Sequence, residues 1–105
     1  MSPTHITALD PARITSLCQQ HGIREFAIFG SAARDELVPE SDIDVMIDFL
    51  PKTKPSLLDL VTIQEELQEM FGRPVDLLTR DGLKHMRNQL RRERITAGLK
   101  VIYVA

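Results

Sequence analysis

The sequence predicts an α/β chain of the α+β two-layer kind, with helices packed on a mixed β-sheet. Two observations predict it. Apolar residues recur at a period of two in some stretches and at helical spacing in the stretches between them. Capping residues, glycines and prolines fall at the borders of these stretches. Alternation of strands and helices along one chain favours helices laid on a sheet. The 105 residues are read as a single domain, 1–105. A chain of this size buries roughly two-thirds of its unfolded surface, enough for one modest core.

The elements follow in order. Asp10-Pro11 opens a helix, with Asp at the N-cap and Pro in the first turn. Ile14, Leu17, Cys18 and His21 fall on one face of it, and Gly22 ends it. Ile23 to Phe29 reads as a buried strand running into Gly30. Asp42 to Phe49 reads as a second strand. It carries Ile43, Val45, Ile47 and Phe49 on one face and Asp42, Asp44, Met46 and Asp48 on the other. Residues 51–55 form a loop bounded by prolines, and Ser56 with Asp59 resembles a capping box. The helix from Leu57 to about Phe71 is expected to bury Leu57, Leu60, Val61, Leu67 and Phe71, with Ile63 and Gln64 flanking. Gly72 and Pro74 punctuate its end, and Val75 to Thr79 is a short strand. Gly82 to about Ala97 reads as one polar helix with Leu83, Met86, Leu90 and the Arg94 stem inward. Val101 to Val104 closes the chain as an edge strand.

Chemistry concentrates in two places. Gly30-Ser31 is followed, after ten residues, by Asp42-Ile43-Asp44. Asp42 and Asp44 point the same way from their strand, roughly 6–7 Å apart. Two carboxylates at that distance repel by about 2–3 kcal/mol at an effective dielectric near 20. A divalent cation removes that penalty, and hard Mg²⁺ favours carboxylate oxygens together with substrate phosphates. A glycine after a strand lets the backbone turn tightly and approach a ligand. Ser31 is expected to cap a short helix through Ala32, Ala33 and Arg34, and free N–H groups there suit an anion. The Ser31 hydroxyl and the Arg34 guanidinium would add donors to a phosphate.

The stretch from Phe29 to Glu36, with Ser41 to Phe49, resembles the signature of the DNA polymerase beta-like nucleotidyltransferase superfamily. It is similar in particular to the minimal nucleotidyltransferases (MNT), antitoxins often found beside HEPN toxins. The resemblance runs from about Ile23 to the C-terminus and implies the nucleotidyltransferase fold. It also implies a third carboxylate on a later strand, which Asp76 in Val75-Asp76-Leu77 matches. By that resemblance Asp42, Asp44 and Asp76 are catalytic metal ligands, with two Mg²⁺ ions, and Gly30, Ser31 and Arg34 bind the nucleotide. ATP would be the substrate, and the acceptor a tyrosine hydroxyl on a cognate HEPN-type toxin. Two other classes compete: an antitoxin that neutralises by binding alone, and a nucleotidyltransferase acting on a small molecule. An intact acid set argues against the first. The lack of an extra helical acceptor domain argues against the second.

Composition narrows the rest. A net charge of −2 leaves no global basic footprint, so nucleic acid is not expected as a direct substrate. One cysteine, Cys18, excludes an internal disulfide and suits a reducing cytoplasm; its helical spacing marks it as core. No apolar run approaches the roughly 20 residues of a membrane span, and the N-terminus lacks a signal-peptide pattern. The expected location is cytoplasmic. Asp48 fits either an additional acid or simple exposure. Lys84, Arg87, Arg91, Arg92 and Arg94 form a basic run, read as a solvated face with partner docking as its functional alternative. His5, His21 and His85 are scattered without zinc-ligand spacing.

Overall fold

The computed structural model describes residues 10–34 and 41–105. His5 and the Asp35-Glu36 end of the glycine motif lie outside the described residues. The elements are α1 (Pro11–His21), β1 (Ile23–Phe29), α2 (Gly30–Ala33), β2 (Ile43–Phe49), α3 (Leu57–Phe71), β3 (Val75–Thr79), α4 (Arg80–Lys84), α5 (Gln89–Ala97) and β4 (Lys100–Val104). They build one mixed four-stranded sheet in the order β3-β2-β1-β4. β1 runs antiparallel to both β2 and β4, while β2 and β3 are parallel. The parallel pair needs a crossover, and α3 supplies it. This is the α+β fold with a mixed sheet that the alternating pattern predicts.

The alternation along β2 sorts the two faces of the sheet. Ile43, Val45 and Ile47 are fully buried against Ile14, Leu17 and Cys18 of α1 and Ile63, Leu67 and Phe71 of α3. Burying each such aliphatic side chain contributes about 1.5–3 kcal/mol. The opposite face carries a smaller cluster, Ala27, Phe29 and Met46 beneath Leu83 of α4 and Ile95 of α5. Met46 is therefore buried although it shares its face with the acids. α4 and α5 shield the middle of that face.

Local signals place the helix ends. Asp10 accepts a hydrogen bond from the Ala12 N–H at 3.0 Å, and Gly22 closes α1 in the left-handed region. Ser56 and Asp59 form the reciprocal capping box at the start of α3. Two glutamines of α3 then hold the first residue of β3 by its backbone. Gln64 Nε2 donates to the Val75 carbonyl at 2.7 Å, and Gln68 Oε1 accepts from the Val75 N–H at 3.2 Å.

Three expectations are corrected. First, Leu57 and Val61 are exposed, at 79% and 42%, because the buried line of α3 runs Leu60, Ile63, Leu67 and Phe71 and leaves them to its side. Second, the single helix expected over Gly82–Ala97 is two. Thr79 caps α4 through the Gly82 N–H, α4 ends at His85, and Asn88 starts α5 by accepting from the Arg91 N–H. The break rotates the second half, so Leu90 is exposed and Ile95 is buried in its place. Arg94, whose stem was expected inward, is exposed. Third, Ser31 lies inside the one-turn helix α2 and does not cap it; the cap position falls on Phe29, which makes no side-chain capping bond.

Candidate active site

The acids gather where β1 ends and β2 and β3 begin. Asp42 stands just before β2, Asp44 is its second residue and Asp76 is the second residue of β3. The parallel register places Asp44 directly beside Asp76. Asp44 shares its face with Met46, and Asp76 with Leu78, so both carboxylates rise on the side shielded further along by α4 and α5. Asp42 and Asp76 are exposed, whereas Asp44 is half-buried.

Gly30 forms the neighbouring wall. Its φ is +66°, a backbone conformation that suits glycine. A methyl group added there would overlap Asp44 Oδ2. The turn after β1 is thus shaped around this one carboxylate oxygen, and Phe29 pairs with Asp44 across the β1–β2 ladder. Ser31 is half-buried in the following turn, and Arg34 is exposed at its end.

The electrostatics concentrate on Asp44. Its pKa is raised above the ordinary 3.8, first by partial burial, then by Asp76 and by Asp42. Arg91 and Arg34 act in the opposite direction. Three all-oxygen anionic groups, two of which raise the pKa of the third, beside a glycine cradle, fit a hard divalent cation. Among the described residues the three do not close into a preformed metal cage. The fit lies in donor chemistry and in the register pairing of Asp44 with Asp76.

A second polar group occupies the far end of the same face. Asp48 accepts from Arg24 Nε at 3.1 Å and from the same guanidinium's Nη2. Arg80, the first residue of α4, donates to Glu25 Oε1 at 2.9 Å, and its Nε lies 3.7 Å from Asp48 Oδ2. Glu25 shares its face with Ala27 and Phe29, and its side chain is only 13% exposed. Asp48 is therefore an ion-pair member distant along the strand from Asp44. Sequence reading passed over Glu25 and Arg80. The available signal was a carboxylate at an alternating position otherwise occupied by buried apolar residues.

The other singled-out residues sort cleanly. Cys18 is fully buried. His21 shares a 2.6 Å hydrogen bond with Glu66, linking α1 to α3, and His85 contacts the Asp81 carbonyl at 2.8 Å. The α4–α5 break divides the basic run: Arg92 donates to the Met86 carbonyl at 3.2 Å, while Arg87, Arg91 and Arg94 are exposed. Clefts of about 440, 400 and 340 Å³ lie along α1 and α3, beside Phe49 and Arg80, and between α4 and α5. None of the three is lined by Asp42, Asp44 or Asp76. No helix among the described residues is long and apolar enough to cross a membrane.

Comparison with known proteins agrees with this fold. The profile of the nucleotidyltransferase domain family matches residues 13–101. Protein adenylyltransferase MntA of Thermococcus cleftensis is 35% identical over 79 residues, covering 75% of this chain and 78% of its own. A toxin–antitoxin crystal structure with AMP-PNP superposes with a TM-score of 0.69 at 16% identity, over 91% of this chain and 74% of that one. The complex of tri-AMPylated Shewanella oneidensis HEPN toxin with MNT antitoxin gives 0.61 at 15% identity, over 90% and 70%. At those identities the two structures speak for the fold.

Proposed function

The chain belongs to the nucleotidyltransferase domain family, as a minimal nucleotidyltransferase, and we propose that it is a Mg²⁺-dependent protein adenylyltransferase. It would move AMP from ATP onto a hydroxyl, a tyrosine's, of a HEPN-type toxin and so act as that toxin's antitoxin. The observation that carries the reading is the register pair Asp44 and Asp76 beside the glycine that makes room for Asp44. The name of the Thermococcus cleftensis relative and the AMPylated HEPN toxin in the Shewanella oneidensis complex support the choice of donor and acceptor.

Asp42, Asp44 and Asp76 would hold Mg²⁺, which when bound offsets phosphate charge and lowers the pKa of a coordinated hydroxyl. The chain's own part is placement. The turn at Gly30 and Ser31 offers backbone N–H groups and a hydroxyl to the triphosphate, with Arg34 adding positive charge. Strands rather than loops carry Asp44 and Asp76, which keeps their separation fixed during turnover. The acceptor oxygen forms a new bond to the α-phosphorus as the bond to the leaving pyrophosphate breaks, and the hydroxyl proton is released. The domain assignment, 1–105 acting as one unit, belongs to this proposal.

The test is incubation with labelled ATP, Mg²⁺ and the co-purified partner, followed by intact-mass analysis of both chains. A gain of one or more AMP masses on the partner supports the reading. An unmodified partner alongside bound, uncleaved ATP would refute catalysis.

A further inference from the structure

α5 brings one arginine of the basic run to the acid site. Ile95 anchors α5 in the cluster of Ala27, Phe29, Met46 and Leu83. Phe29 is the cross-strand partner of Asp44, and Met46 lies two residues beyond Asp44 on the same face. Arg91 precedes Ile95 by four residues, so the two side chains share one side of the helix. Packing Ile95 onto this face therefore lays Arg91 along the side where Asp44 stands. The positive charge of Arg91 acts on the Asp44 carboxylate accordingly.

The state of Arg91 is informative. It sits in the first turn of α5, where the helix dipole disfavours a cation. Its neighbour Arg92 is engaged with the Met86 carbonyl. Among the described residues, no hydrogen bond or ion pair engages the Arg91 guanidinium, and the residue is exposed. An arginine that faces carboxylates without pairing to them keeps its donors for another anion. A nucleoside triphosphate would bring further negative charge beside three acids, and a guanidinium suits phosphate oxygens in a bidentate contact.

We propose that Arg91 binds the phosphate chain of the nucleotide from α5, a role that rests on the nucleotidyl-transfer reading above. The side chain supplies charge and orientation on the substrate side, while the acids keep theirs for the cation. This sets opposite signs for two ligands. Removing Arg91 weakens the triphosphate and leaves metal binding equal or stronger, because a cation competing for Asp44 has gone.

The experiment titrates the isolated chain with a fluorescent ATP analogue in Mg²⁺ and, separately, with Mn²⁺ alone, followed by electron paramagnetic resonance. R91A should weaken the ATP analogue about tenfold or more, with R91K recovering part of the loss. Mn²⁺ affinity of R91A should equal or exceed that of the wild type. R87A, an exposed neighbour, should leave both within twofold. An R91A affinity for the analogue within twofold of wild type overturns the proposal. Parallel loss of ATP and Mn²⁺, or an equal loss in R87A, overturns it as well, pointing to collapse of α5 or to diffuse charge. A wild-type chain that binds Mn²⁺ but no ATP analogue refutes the nucleotidyl-transfer reading itself.

Discussion

Asp44 and Asp76 are direct register partners on the parallel strands β2 and β3, and both face the side of the sheet that α4 and α5 only partly cover. Like charges opposed across a sheet destabilise it. The pair is tolerable to the fold because Asp76 is exposed, and the strain falls on half-buried Asp44.

That strain has a sign in pH. The native pKa of Asp44 is raised above 3.8, so between that value and its native pKa the folded state binds more protons than the unfolded one. The contribution of Asp44 is fully favourable below 3.8 and is lost as pH rises through the native pKa. Asp44→Asn should therefore gain stability over wild type at pH 7 and lose that advantage at acid pH. Urea midpoints from pH 3 to 8 test this, and a constant difference across the range would contradict it.

Gly30→Ala should damage the site more than the fold. A left-handed conformation costs a non-glycine residue about 1–2 kcal/mol, and the new methyl displaces Asp44 Oδ2. Thermal melting should show a modest drop, and Mn²⁺ titration a large one. Undiminished metal binding would mean that the closeness of Gly30 to Asp44 has no role in it.

Asp76→Asn separates binding from turnover. Single-turnover AMP transfer should fall on the order of a hundredfold or more, while ATP-analogue affinity changes little. Equal losses in both would move Asp76 to the nucleotide side.

Glu25→Ala tests the ion pairs at the other end of the face. It strips Arg80 of its 2.9 Å partner in a setting where both side chains are mostly shielded. A loss of about 2–3 kcal/mol is expected by chemical denaturation, since the guanidinium is left with weaker compensation. Arg80→Met should cost less than Glu25→Ala. The reverse order would locate the stabilisation in the aliphatic stem of Arg80.

Cys18 should behave as an inert core thiol. Burial pushes its pKa up to about 12, which leaves almost no thiolate at neutral pH. Iodoacetamide at pH 8 should label it only as fast as the chain unfolds, and labelling should become complete in urea. Rapid labelling of the native chain would show α1 opening locally.

Much of this was legible in the sequence because it is local or periodic. Asp10, Ser56 with Asp59, Gly22 and Gly72 announce helix ends by chemistry that acts over a few residues. The alternation from Ile43 to Phe49 assigns faces, and with them the side on which Asp44, Met46 and Asp48 lie. Long-range partners were not legible. Nothing near Met46 indicates that Leu83 and Ile95 will cover it, and nothing near Glu25 names Arg80. The α4–α5 break was readable in principle. Asn88 is a strong N-cap, but the basic run around it looks like one helix until its apolar positions are counted from Asn88 instead of Gly82. Arg91 then changes meaning, from one charge of a surface stripe to a charge that acts on Asp44.

Gln64 and Gln68 grip both backbone groups of Val75, which makes α3 a ruler for the third acid. Side chains on β3 change face with every residue, so the phase of the strand decides which way Asp76 looks. One residue added or removed between Phe71 and Val75 would turn Asp76 toward the α1–α3 core and bring Val75 or Leu77 to the site. Composition, charge and the motif around Gly30 would all survive such a change intact. The turn of Gly72, Arg73 and Pro74 is thus bound to a fixed length, and the enzyme's chemistry depends on arithmetic in a segment that contributes no reacting group.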